Sequence, residues 1–208
     1  MKNDTHEISG QRLAPRKWFV LFFFLLLVSS LLSLVAGPVF AAKKAEAAAA
    51  EKGMALRHLE TGNTFGKQGD FDAAISAYEK AIAADPSTLF AYSNIGYAYE
   101  EKGNQDKAIE YFEKATKIAP QDAIAWYDLG AGYMKKGDFK KAIECYERSF
   151  KLDPKFYKGC MSLALAYEGD RQLDKASEYF VKAMSLTDDQ EIKDAIMRQV
   201  SRATPDKV

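Results

Sequence analysis

Few residues in this chain are placed to do chemistry. Residues 126–146 read WYDLGAGYMKKGDFKKAIECY, with Gly130 and Gly132 two apart and lysines just downstream. Glycines followed by lysines can cradle a phosphate, because backbone N–H groups approach closely where no Cβ intervenes and an ammonium supplies the charge. Two histidines, His6 and His58, and two cysteines, Cys145 and Cys160, complete the candidates. A protein-built zinc site needs three or four converging ligands, so this supply is thin. One bridge is the most that two cysteines can make, which excludes a disulfide framework. The two read as small packing residues. A structural bridge in an oxidising compartment stays open, since the helices that carry them should be neighbours. No Asp, Ser or Cys is positioned by a motif to make His58 a base, and it reads as half-buried helix packing. Lys+Arg and Asp+Glu both number 29, so the formal net charge is zero. A nucleic-acid binder would show a basic excess, and none is present.

The first forty residues are a different material from the rest. Arg12, Arg16 and Lys17 precede WFVLFFFLLLVSSLLSLVA, an uncharged run over residues 18–36. At about 1.5 Å per residue this run could cross roughly 30 Å of hydrocarbon as a helix. Gly37 and Pro38 are expected to end that helix, and Val39-Phe40-Ala41 fits a leader-peptidase site. Residues 1–41 are therefore a signal cleaved after Ala41 or an uncleaved anchor. The sequence V-F-A favours the first, the length of the apolar run the second. Either way the preceding positive charges hold the N-terminus in the cytoplasm, so the remainder is expected outside it, in the periplasm if the cell has one. Membrane contact is expected only through residues 18–36, if uncleaved. Residues 42–54 are alanine-rich with scattered charge and no apolar face, which predicts a semi-rigid helical spacer.

The rest is periodic. Pro86, Pro120 and Pro154 end similar phrases, AADP, KIAP and KLDP, and the two intervals between them are equal. In rows of that length, Gly62, Gly96, Gly130 and Ala164 align, as do Phe65, Tyr99, Tyr133 and Tyr167. Ala74, Ala108, Ala142 and Ala176 form a third column, and Tyr78, Phe112, Tyr146 and Phe180 a fourth. Row three predicts a helix over 123–136, a break at Lys136-Gly137-Asp138, and a second helix over 139–152. Trp126, Leu129 and Tyr133, spaced three and four apart, share one helix face. Gly130 recurs in step with the prolines, so it is a packing glycine inside a helix and not part of a phosphate loop, which would need a preceding strand and a third glycine. One helix pair cannot bury its apolar side alone, so the rows must stack. Row four departs from the frame, because Arg171 stands where Gly69, Gly103 and Gly137 stand. Its turn should be strained or rearranged. After it, Thr187 and Gln190 suggest a capping box, and Ile192, Ala195, Ile196 and Val200 form the stripe of a last helix near 188–202. That helix should cap the array, though its stripe could instead dimerise.

The pattern resembles the tetratricopeptide repeat, which has a period of about 34 residues and the signature W-x2-L-G-x2-Y, A-x3-F and P. Row three supplies Trp126, Leu129, Gly130, Tyr133, Ala142, Tyr146 and Pro154. The resemblance implies an all-α fold, a right-handed superhelical solenoid. Its repeats would span 55–88, 89–122, 123–156 and 157–188, with a capping helix and tail at 189–208. It further implies a non-enzymatic adaptor, without cofactor or metal, whose first helices line a groove for a protein or peptide partner. By that resemblance the groove is lined by Leu59 and Asn63, then Phe90, Ser93, Asn94 and Tyr97. Ile124, Tyr127, Asp128 and Met134 follow, then Lys158, Met161, Ser162 and Leu165. A subfamily clamps a chaperone's C-terminal carboxylate with two asparagines and several cations. Asn63 and Asn94 match its asparagines, whereas Leu59, Ile124 and Asp128 stand where the cations belong, so the main attraction for a carboxylate is missing. The alternative is a scaffold that self-associates, as a homo-oligomer, through its end helix or groove.

Overall fold

A computed structural model of the chain describes residues 15–203. His6, Arg12 and the last residues of the tail lie outside them. Nine helices occur among the described residues: α1 (Pro15–Lys67), α2 (Phe71–Ala84), α3 (Leu89–Glu101), α4 (Gln105–Ile118), α5 (Ala123–Lys136), α6 (Phe139–Leu152), α7 (Tyr157–Gly169), α8 (Leu173–Ser185) and α9 (Gln190–Ala203). The chain divides into two compact units, Met1–Ala50 and Glu51–Val208, and the boundary falls inside α1.

In the first unit α1 runs through Gly37 and Pro38, contrary to the expected break. Proline forfeits one backbone hydrogen bond and costs a helix about 3 kcal/mol. Long helix-forming stretches on both sides, the apolar run and the alanines, offset that penalty. Most side chains of residues 18–36 lie outside the described residues, and with them the membrane-crossing reading. Among the described residues no helix is long and apolar enough to cross a membrane. Residues 39–54 are exposed throughout.

The second unit is the repeat array. From α2 to α9 each helix packs on the next in chain order, and the first helix α5 also touches both α3 and α7. One small-to-large column sets the distance between paired helices. A Cβ added at Gly62, Gly96 or Gly130 would come within 2.4, 2.5 and 2.7 Å of the rings of Tyr78, Phe112 and Tyr146 respectively. Gly132 faces the other way, where a Cβ would stand 3.1 Å from Ile109 in the preceding repeat. The two glycines of G-A-G thus admit one helix on each side of α5.

Aromatic columns tie repeat to repeat. The Tyr133 hydroxyl donates to Glu113 of the preceding repeat at 2.8 Å, and Tyr167 donates likewise to Glu147. Lys107, Lys141 and Lys175 each lie 5.0 Å over the rings of Tyr99, Tyr133 and Tyr167. Such cation–π contacts stabilise by about 0.5–1 kcal/mol each at exposed sites.

The turns follow the sequence closely. Gly137 takes the left-handed conformation at φ 81°, and Asp138 N–H donates to the Tyr133 carbonyl at 3.0 Å, closing α5. Asp70, Asn104 and Asp138 each accept a hydrogen bond from the backbone three residues on, capping α2, α4 and α6. In row four Arg171 keeps the left-handed turn at φ 62°, the only non-glycine residue with positive φ among those described. α9 closes the last core with Ile196 and Val200, while Ile192 is half-buried and Ala195 is exposed, outside the expected stripe. Its cap also differs from the expected box. Asp189 accepts from Glu191 at 2.9 Å and Ile192 at 3.3 Å, whereas Thr187 only accepts from Asp189 at 3.2 Å. The carboxylate is the better acceptor for orphan N–H groups and sits two residues closer to α9.

Candidate functional site

The first helices carry every residue that the sequence places in the groove. Their structural positions divide these residues into three groups. Asn63, Phe90, Tyr97, Ile124 and Lys158 are exposed. Phe90 is 66 % and Ile124 56 % exposed, although Ile95 and Leu129 of the same two helices are buried. A further residue belongs with them. Leu56 is 56 % exposed and precedes Phe90 by one full repeat, at the same place in its row. Sequence reasoning missed it, although the same subtraction that located the prolines would have found it.

The second group is half-buried and packs within the array. Leu59 lies against the core of repeat one, and Met134, Met161 and Leu165 against that of repeats three and four. Tyr127 packs between Tyr146 at 5.6 Å and Phe156 at 5.2 Å between ring centroids. It was expected to stand one step off the packing columns as an interface anchor. Its ring is long enough to reach the neighbouring aromatics, so much of it is core. Ser162 hydrogen-bonds the buried Tyr146.

The third group corrects the reading. Ser93 and Asp128 are buried, and Asp128 is only 2 % exposed. The Tyr97 hydroxyl, reaching from α3, donates to the Asp128 carboxylate on α5, and Ser93 adds a second hydrogen bond. Asp128 therefore joins two repeats and does not face a ligand. Burial pushes its carboxyl up to about 6, with the bonds from Tyr97 and Ser93 pulling the other way. Burial and the neighbouring carboxylate likewise push the Tyr97 phenol above its ordinary value. The ring edge of Tyr97 stays open, at 41 % exposure, with its hydroxyl turned inward.

A second polar bridge joins repeats one and two. The side-chain oxygen of Asn63 accepts from Tyr78 and from Asn94, each at 2.9 Å. Beside it lies a concavity of about 350 Å³ lined by Asn63, Lys67, Phe71, Asn94, Tyr97 and Glu101. A larger one, about 470 Å³, opens among the second helices, where Ile82, Tyr111 and Ile118 are flanked by Lys114 and Lys117. Lys114 is engaged with Glu110 at 2.7 Å.

Cys145 and Cys160 are both free and buried, so the bridge left open by the sequence is not formed. They face different cores. Cys145 packs with Phe112 and Leu129, and Cys160 with Leu163 and Phe180, its thiol 3.5 Å from the Tyr179 carbonyl. Burial pushes the thiols up to about 12 and about 11, leaving little thiolate at neutral pH. Among the described residues no group of three His, Cys, Asp or Glu side chains could hold a metal ion.

Residues 59–123, 123–156 and 157–190 each match a model of the tetratricopeptide repeat. The chain belongs to the tetratricopeptide repeat family. Solved structures agree on the fold. The chain is similar to MamA 41-end from Desulfovibrio magneticus RS-1, at 22 % identity and a TM-score of 0.65, covering 74 % of this chain and 85 % of that one. It is similar to YrrB, described as a repeat protein with an unusual peptide-binding site, at 19 % identity and TM-score 0.57, over 74 % of this chain and 88 % of that one. It is also similar to the first tetratricopeptide domain of Spaghetti (RPAP3) bound to the HSP90 peptide SRMEEVD, at 26 % identity and TM-score 0.53. That match covers 56 % of this chain and 93 % of that one. No curated protein matches the sequence.

Proposed function

We propose that this tetratricopeptide repeat protein is a non-enzymatic adaptor that holds a segment of a partner polypeptide on the face of its first helices. One observation carries the reading. Leu56, Phe90 and Ile124 stand in solvent at the same register of successive repeats, and the helices of the first two also supply Asn63, Asn94 and Tyr97 to a concavity. Single exposed apolar residues need no explanation, but an apolar row repeated by the architecture is what an interaction surface looks like. Two similar structures are described with peptides or a peptide-binding site, which supports the same use here. The carboxylate-clamp mode is not proposed, because Ile124 and Asp128 replace its cations and Asp128 is buried.

We also propose that the adaptor works outside the cytoplasm, either released by cleavage after Ala41 or tethered through residues 18–36. The charge-flanked apolar run and the V-F-A sequence support this. N-terminal sequencing of the mature protein from membrane and soluble fractions checks it. A start at Ala42 in the soluble fraction means release, and an intact N-terminus in the membrane fraction means a tether. An intact chain found wholly in the cytoplasm sinks the location.

The adaptor reading is tested with the full chain, purified by an affinity tag from cells that produce it. The wild type should bring down a distinct polypeptide. Phe90→Glu with Ile124→Glu should lose it, and Lys117→Glu on the second-helix face should keep it. If the chain recovers only copies of itself, it is a self-associating scaffold and not an adaptor.

A further inference from the structure

Leu56, Phe90, Ile124 and Lys158 occupy one place in successive repeats, each one full repeat after the last. All four are exposed. The row is apolar three times and then cationic. Lys158 makes no ion pair with any described carboxylate, whereas Lys102, Lys135 and Lys136 are each paired with an acid of the preceding repeat. Resting on the adaptor reading, we infer that the partner segment is an extended, polyproline-type strand read at every third residue. It would place apolar side chains on Leu56, Phe90 and Ile124, and a carboxylate on Lys158.

The spacing selects the triplet. Packed helices stand about 8–10 Å apart, so equivalent side chains of successive first helices advance by about that step. A polyproline II strand rises about 3.1 Å per residue and has three residues per turn. Every third side chain therefore lies on one side, about 9 Å after the last. A β-strand alternates sides and would turn every third residue away. An α-helix rises about 1.5 Å per residue and would have to present every sixth or seventh residue.

Hydrogen bonding separates the strand from the helix. A polyproline strand has no internal backbone bonds and needs partners for its N–H and C=O groups. The groove offers them. Asn63 uses its oxygen for Tyr78 and Asn94, which leaves its amide N–H groups and the Asn94 oxygen free for a ligand. A helical ligand has no use for these groups along its length.

The test uses the full chain and synthetic fluorescent peptides, read by anisotropy. The first peptide carries leucine at every third position, three in all, then glutamate three residues on, with proline and serine between. Its reverse covers the opposite chain direction. A second has the same composition with a four-residue period. A third is helix-prone, with leucine at every seventh position and a final glutamate. The triplet peptide, in one direction, should bind about tenfold more tightly than the others, the worth of one well-buried aliphatic side chain. Ile124→Ser should cost about the same factor. Lys158→Glu should weaken the glutamate-ended peptide and favour a lysine-ended one. Equal or tighter binding of the four-period or helical peptide overturns the inference, as does a failed charge swap. If no peptide binds while Phe90→Glu with Ile124→Glu still abolishes capture of the cellular partner, the adaptor stands and the triplet reading falls. If neither occurs, both fall.

Discussion

In repeat three, Gly137 closes α5 at φ 81° and Asp138 caps α6. In repeat four the same two places hold Arg171 at φ 62° and Gln172, which makes no side-chain cap bond. The contrast extends further. Gly130 lies against Tyr146, but Ala164 carries a methyl in the corresponding place and is packed in one core with Phe180. Pro154 follows α6, whereas Asp188 follows α8. Ile124 offers an apolar surface, and Lys158 a charge. Repeat three has a neighbour on each side and must match both, so its small residues, turns and caps follow the frame. Repeat four meets α9 on its outer side, and Ile196 and Val200 of that helix supply core that a fifth repeat would have given. The frame relaxes at this end of the array, whereas repeat one, also with a single repeat neighbour, keeps Gly62, the left-handed Gly69, the Asp70 cap and Pro86.

That comparison can be broken most forcefully at Gly130. Gly130→Ala should destabilise the array by about 1–3 kcal/mol in urea unfolding, because the Tyr146 ring is buried and cannot step aside. A gain in stability, as helix propensity alone would give, would show that close approach does not distinguish repeat three from repeat four.

The next effect lies in the seam between repeats two and three, where Asp128 is buried and repeat four has Ser162 instead. The folded carboxyl titrates at about 6, above its ordinary value. Between about pH 4 and 6 the folded chain holds a proton that the unfolded chain has released, so stability falls as pH rises through that window and stays low above it. Asp128→Asn removes the cost while keeping an acceptor for Tyr97. It should be more stable than the wild type by about 1–3 kcal/mol at pH 8, with the difference vanishing near pH 4. Urea melts across that range read it, and a pH-independent difference would mean that the carboxylate is already charged throughout.

Smaller effects are expected at the turn of repeat four. Arg171→Gly should stabilise by about 1 kcal/mol, the cost of a left-handed non-glycine residue. Gln172→Asp should add up to about 1 kcal/mol by supplying the missing cap of α8. The two are adjacent, so their sum need not hold. No gain from either would mean that repeat four has already absorbed its departures.

Most of this architecture was legible before any coordinates. The evenly spaced prolines and the glycine column predict the helix bounds of repeat three, and the arginine in the wrong place marks a turn that is strained or rearranged, where the structure keeps the left-handed conformation. Columns succeed because each repeats the same packing problem. The misses are places where a side chain serves two neighbours at once. Asp128 looks like a surface carboxylate until Tyr97 reaches across from α3, and Tyr127 looks free until Tyr146 and Phe156 close on it. α1 passes Gly37 and Pro38 because the propensity of long flanks outweighs a local breaker. Leu56 escaped because the rows were anchored on buried columns, and its column is the exposed one.

The most direct test of the adaptor reading is a photoreactive side chain placed in the full-length protein at Ile124, and separately at Lys117, followed by irradiation in cells and mass spectrometry of the adducts. The account predicts a foreign polypeptide joined at Ile124 and none at Lys117. The same adduct at both positions, or only a second copy of this chain at Ile124, would contradict it.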